Sequence, residues 1–150
     1  MQTKINKNTA FGIPGTHGNT QPYYADPATA EANLKMGDPV EVTVGKAKKM
    51  TAVANYVGIA VDPHEHVLMT LPESTRTLVV RQGDTIAVAK KGSWYIEIPA
   101  VGVTVGANVY ATATGVYTMT AGSNALVGEV LATDGAASPD TKTIALVRLG

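Results

Sequence analysis

Cysteine is missing altogether, which excludes disulfides and thiolate metal sites. Aromatic residues are few, with one tryptophan and one phenylalanine in 150 residues, and only 16% of the chain is charged. That charge is low for a free soluble domain and fits a chain that hides surface in an assembly. Neither sign dominates, because 12 Lys and Arg balance 12 Asp and Glu for a formal net charge of zero. A neutral chain has no global field to draw it to nucleic acid or to an acidic membrane, and it lacks the repulsion that keeps monomers apart. No apolar run is long enough to cross a bilayer as a helix. The lysines near Met1 precede no apolar stretch of the kind a signal peptide carries. These absences point to a protein made in a cytoplasm and working there, or in something assembled there.

What the chain does have is small and branched. Val, Thr and Ala dominate a 45% hydrophobic composition, which favours β structure over a helical bundle. A chain of this length makes one domain and buries roughly two thirds of its unfolded surface. Its organisation centres on residues 83–119. Ile86 and Val88, then Trp94, Ile96 and Ile98, keep a period of two that aims one side of each strand at a core. Glycines break this stretch at short intervals, so it reads as a compact β-meander with Gly92-Ser93-Trp94 as a hairpin turn. Trp94, Ile96 and Ile98 are its packing centre. Further strands are expected over 38–44, 50–61 (a strand pair or one bent strand), 67–71, 77–80, 124–133 and 143–149. Lys46, Lys48 and Lys49, and then Lys90 and Lys91, fall in hairpin turns. There they are solvated, or second, they meet an acidic protein neighbour.

Residues 1–36 differ from the rest. They are rich in Asn, Thr and Gly, and they hold too little apolar material for a core of their own. Asp26-Pro27 is a helix start, with Asp26 as N-cap, which predicts a short helix over 27–35. Ala28, Ala30, Ala32 and Leu34 also alternate, as a strand would. Phe11, Tyr23 and Tyr24 either anchor this segment at an interface or pack back on the chain's own sheet. The predicted architecture is all-β: an extended N-terminal arm over 1–36, then a compact antiparallel β-barrel or β-sandwich body over 37–150.

Chemistry-bearing constellations are thin. His64 and His66 flank Glu65 and would share a face on a strand, but Asp62-Pro63 makes the segment a turn and no third metal ligand is spaced to join them. His17 has no partner by sequence. None of Ser74, Ser93, Ser123 and Ser138 sits in G-x-S-x-G. Asp38 and Asp84 each follow a glycine and precede a strand, as turn carboxylates do. No catalytic residue, cofactor site or metal site is assigned, and the chain reads as a non-enzyme.

The order of features resembles a family. I-P-G at 13–15 and P-Y at 22–23 are followed by G-D-P-V at 37–40 and V-G-I-A-V-D-P at 57–63. G-D-x-I-A-V at 83–88 leads to G-S-W-Y-I-E at 92–97, V-T-V-G-A-N-V-Y at 103–110, T-G-V-Y at 114–117 and A-L-V-R-L at 145–149. Across nearly its whole length the chain looks like the structural cement, or capsid decoration, proteins of tailed bacteriophages. The resemblance implies a virion structural protein on the outer surface of an assembled capsid. It would cement neighbouring major capsid protein subunits and stabilise the expanded head, as a homodimer or homotrimer, with no part for nucleic acid or membrane. The arm would reach across the capsid, with Phe11, Ile13, Pro14, Tyr23 and Tyr24 as its candidate contacts. Another virion component, such as a tail tube or head-completion protein, is the first alternative. A small-ligand or carbohydrate-binding β-module is the second.

Overall fold

Alternation of small branched residues does produce strands almost throughout. The computed structural model describes residues 14–18, 22–61, 79–100, 103–133 and 142–150. Phe11, Ile13, the His64 to His66 triplet and the strand expected over 67–71 lie outside the described residues. Among the described residues eleven strands follow in chain order: β1 Tyr24–Ala30, β2 Leu34–Lys35, β3 Pro39–Thr43, β4 Lys46–Lys49, β5 Gly58–Val61, β6 Val79–Val80, β7 Thr85–Pro99, β8 Asn108–Ala111, β9 Tyr117–Thr118, β10 Ala125–Thr133 and β11 Lys142–Leu149. A single 3-10 turn, Val53–Asn55, lies between β4 and β5. The fold is all-β, as the composition predicts.

Nine strands make one continuous sheet in the order β1-β4-β3-β5-β7-β11-β10-β8-β9, and β1 returns to pair with β7. The first five strands therefore close on themselves as a small barrel. The closing contact is the parallel pair β1–β4, with Thr29 beside Lys46. The remaining strands extend from the far half of β7 as a second, open sheet. β2 and β6 form a separate two-stranded ribbon.

Strand β7 is common to both halves. Its first half pairs with β1 on one side and β5 on the other. Its second half pairs with β11, from Gly92 to Pro99. On the other flank of that half run residues 14–18, bonded to it from Gly15 N–H to the Tyr95 carbonyl at 2.7 Å and from Gly18 N–H to the Ser93 carbonyl at 2.9 Å.

Between the halves the side-chain alternation changes phase. Opposite β1 the pairing steps from Tyr24 and Lys91 to Ala25 and Ala89, so Lys90 is one residue more than β1 supplies. Such a bulge bends a strand and reverses which face its later residues take. Ile86 and Val88 point into the barrel with Ala28, Ala30, Val40 and Ala60. Ala87 and Ala89 point outward, and beyond the bulge Trp94, Ile96 and Ile98 join them in the larger core against the second sheet. The unbroken period of two in the sequence thus spans two cores rather than one. Trp94, Ile96 and Ile98 are fully buried, as expected of a packing centre. An aromatic side chain buries roughly 150–250 Å2, worth about 4–6 kcal/mol of transfer free energy.

Three local expectations are corrected. Residues 24–30 form a strand, not the start of a helix over 27–35. Ala28 and Ala30 alternate into the barrel core, and the Asp26 carboxylate binds the Lys90 ammonium at 2.8 Å instead of capping a helix. Pro27 lies where β1 is paired with β7 alone, an edge condition that accepts proline. Lys90 to Trp94 is mid-strand, not a hairpin turn, and β7 pairs with distant strands rather than with β8, so residues 83–119 are not a meander. The turn before β4 is Val44-Gly45, and Lys46–Lys49 is strand.

Gly92 follows the bulge at φ 104°, and a Cβ there would lie 2.6 Å from the Tyr23 Cβ. Substitution Gly92→Ala should cost about 1–3 kcal/mol, from backbone strain and overpacking. Urea unfolding of the purified protein measures it, and an unchanged midpoint would show that the bend tolerates a side chain.

Candidate functional site

Two regions of the surface gather side chains that could meet a partner. The first is the bend of β7. Lys91, Gly92 and Trp94 lie where the barrel gives way to the second sheet, and the segments 14–18 and 22–24 cross there. Because residues 14–18 pair along β7, His17 falls opposite Trp94. Its ring sits 5.1 Å from the Trp94 ring and 4.8 Å from that of Tyr23, while Tyr23 and Trp94 are 5.2 Å apart, edge to face. The Trp94 indole N–H is satisfied by the Lys91 carbonyl at 3.0 Å. Tyr23 is therefore a lid over a buried tryptophan, yet it stays 48% exposed, and Tyr24 is 54% exposed. Lys90 stands 6.0 Å from the centre of the Tyr24 ring while holding Asp26. The Lys90 ammonium and then the Tyr24 hydroxyl hold the Asp26 carboxyl below its ordinary pKa, and Asp26 in turn raises that of Lys90.

Of the sequence-chosen residues, the structure brings Tyr23 and Tyr24 together at the bend of β7, while Pro14 lies apart from them, lining a cleft at the seam of barrel and sheet. Pro14 is buried, and the two tyrosines face outward. His17 was not among them. Its partner, Trp94, is 77 positions away, and no local signal announces such a pairing.

The second region is a cleft of ≈ 130 Å3 at the seam of barrel and sheet, lined among others by Pro14, Lys35, Asp38, Lys49, Glu97 and Tyr117. That volume admits a side chain rather than a cofactor, whose sites run to about 300–1,000 Å3. The Tyr117 hydroxyl donates to the Gly37 carbonyl, tying the β8–β9 hairpin to the barrel. Burial pushes the pKa of Tyr117 well up and that of Tyr56 likewise, so both phenols stay neutral. Burial also raises the Asp38 carboxyl, against the pull of Lys49, Lys35 and Lys142.

Glu41 is the other enclosed carboxylate. It accepts from the Thr51 N–H at 3.0 Å, the Thr51 hydroxyl and the Asn55 amide at 3.2 Å, with the Lys48 ammonium 3.3 Å away. These donors, led by the Thr51 N–H, hold its pKa down. A carboxylate so engaged staples β3 to the turn that follows β4. Among the described residues no three His, Cys, Asp or Glu side chains converge as metal ligands. No described helix is long and apolar enough to cross a membrane.

Comparison with known proteins points one way. A family model described as "Structural cement protein (E217 gp24/Pam3 gp6)" matches residues 1–150. No curated protein sequence matches the chain. Among solved structures, a chain from "The capsid of Myoviridae Phage XM1" is similar at a TM-score of 0.61, with 11% identity, over 99% of this chain and 97% of that one. At that identity the likeness is one of fold.

Asp38 carries a pH signature with a definite sign. An acid whose folded pKa is raised destabilises the fold while ionised and stops doing so as pH falls through that pKa. Asp38→Asn should therefore be more stable than the parent at neutral pH. Its advantage should shrink as pH drops through the raised pKa and vanish below the ordinary carboxylate range. Urea midpoints of both proteins across that range test this, and a variant less stable at neutral pH would contradict it.

Proposed function

The chain belongs to the structural cement protein family of phages, and on that premise we propose that it sits on the outer surface of the expanded head and bridges neighbouring major capsid protein subunits. It is a virion protein that stabilises the capsid, and the family match over the whole chain carries that conclusion. The finer placement rests on its surface chemistry. A formal net charge of zero leaves no field to hold it against packaged DNA, which favours the outer face and a protein partner. Aromatic groups held on a rigid support and left exposed are what interfaces use as anchors, and Tyr23 and Tyr24 answer that description.

In this reading the protein is made in the host cytoplasm, performs no catalysis and binds no nucleic acid. It assembles on the capsid as a homodimer or homotrimer. Phe11 and Ile13 lie on the segment before Pro14 and are its apolar contacts with the capsid protein, joined by Tyr23 and Tyr24. Pro14, buried against the body, directs that segment. Residues 14–18 are bonded into the sheet, so the part that reaches the capsid ends before Pro14.

The test uses expanded capsids that lack the protein. Adding it back should raise the temperature at which they burst. A chain carrying Phe11→Ala and Ile13→Ala should fold as the parent does and bind capsids about tenfold or more weaker, since hot-spot truncations cost more than about 1 kcal/mol each. Parent-like binding by that variant would remove the arm from the interface. Failure of the parent itself to bind would remove the outer-surface placement.

A further inference from the structure

Strands β3 and β4 are joined by two residues only, Val44 and Gly45, with φ of 51° and 73°. Two consecutive residues at positive φ make the type I′ turn that matches strand twist, and the sequence such turns favour is Asn-Gly. Glycine takes this backbone freely. Valine does not: its branched Cβ crowds the backbone, and a β-branched residue at positive φ is a genuine outlier. Among the described residues nothing offsets that strain, because Val44 is 95% exposed.

The turn is nevertheless held firmly. The Thr29 N–H donates to the Gly45 carbonyl at 2.9 Å, and this bond opens the parallel β1–β4 pairing that closes the barrel. Thr43 pairs with Lys46 across the turn. Further along β3 the Glu41 staple fixes the same hairpin. Val44 is thus an apolar knob on a rigid mount, with the exposed Lys46 beside it. Strained backbone that the surrounding structure enforces, at a position with no structural benefit, is a mark of a functional contact.

Its place in the fold bears on what it could touch. Val44 stands at the end of the barrel where β7 begins, next to Thr29 and its partner Thr85. Tyr23 and Tyr24 stand at the other end, beside Gly92 and Lys91. Thr85 and Lys91 are six steps apart along the strand, roughly 20 Å at about 3.3 Å per residue. A body that bridges subunits needs contacts at two separated points on a stiff frame, and these two ends supply them. We propose that Val44 is a second capsid anchor, seated in an apolar recess of the capsid protein whose rim carries a carboxylate facing Lys46. This rests on the capsid-surface reading above.

The experiment exploits a conflict of sign. Val44→Asn installs the favoured turn sequence, so the isolated protein should melt about 2–5 °C higher. The same variant should bind expanded capsids about tenfold or more weaker, measured by co-sedimentation with purified capsids lacking the protein. Val44→Gly, which also relieves the backbone but adds no polar group, should lose affinity likewise. Full affinity in both variants, with the parent binding normally, would overturn the anchor and leave the capsid-surface reading intact. A parent that does not bind would strike at that reading instead. A change in oligomer mass of the isolated variants would assign the knob to a second copy of the chain and also overturn the proposal.

Discussion

Everything in this molecule hangs on one strand that must serve two cores. β7 runs 15 residues, from Thr85 to Pro99, and is paired on both flanks in each half. A straight strand offers one face to one core along its length. Here the first half lies in the wall of a closed barrel, and the second half lies in an open sheet packed beside it. The extra residue at Lys90 lets Ala87, Ala89 and Trp94 share one interior while Ile86 and Val88 fill the other. Gly92 accommodates the bend where Tyr23 crosses. Without that change of phase, Trp94 would leave this interior for the face that Ser93 and Tyr95 take.

The consequence for function is stiffness at low cost in charge. Few ion pairs are present among the described residues, and Lys90–Asp26 and Arg148–Glu129 are exposed pairs of small individual worth. The frame is held by backbone pairing and by small apolar side chains, and the Glu41 carboxylate and the Tyr117 hydroxyl are hydrogen-bonded within it. Such a frame can carry load between its ends without depending on salt. That suits a member of a family whose task is to stabilise a capsid.

How much of this could be read from residues alone follows from which forces are local. β3, β5, β10 and β11 were legible, because each is a short run rich in branched apolar residues between turn signals. Trp94 was legible as a packing centre because a lone tryptophan in such a pattern has nowhere else to go. The misreadings share one cause. Asp26-Pro27 is a good local helix start, and Lys90 to Ser93 is a good local turn, yet both segments are strand because each completes a hydrogen-bond ladder with residues some 60 positions away. Barrel closure leaves no mark on either sequence by itself. On the surface, Tyr23 and Tyr24 were legible as candidates from composition. His17 was not, since its contact with Trp94 is a product of the same long-range pairing, and the strain at Val44 exists only once its backbone angle is known.

In the function proposed here, a stiff two-ended body ties capsid subunits together from outside. A cryo-electron microscopy reconstruction of expanded capsids, with and without the purified protein, tests it most directly. Added density is expected on the outer surface, spanning neighbouring capsid protein subunits and touching them at both ends of the barrel. Identical reconstructions, or added density confined to the capsid interior or the tail, would contradict it.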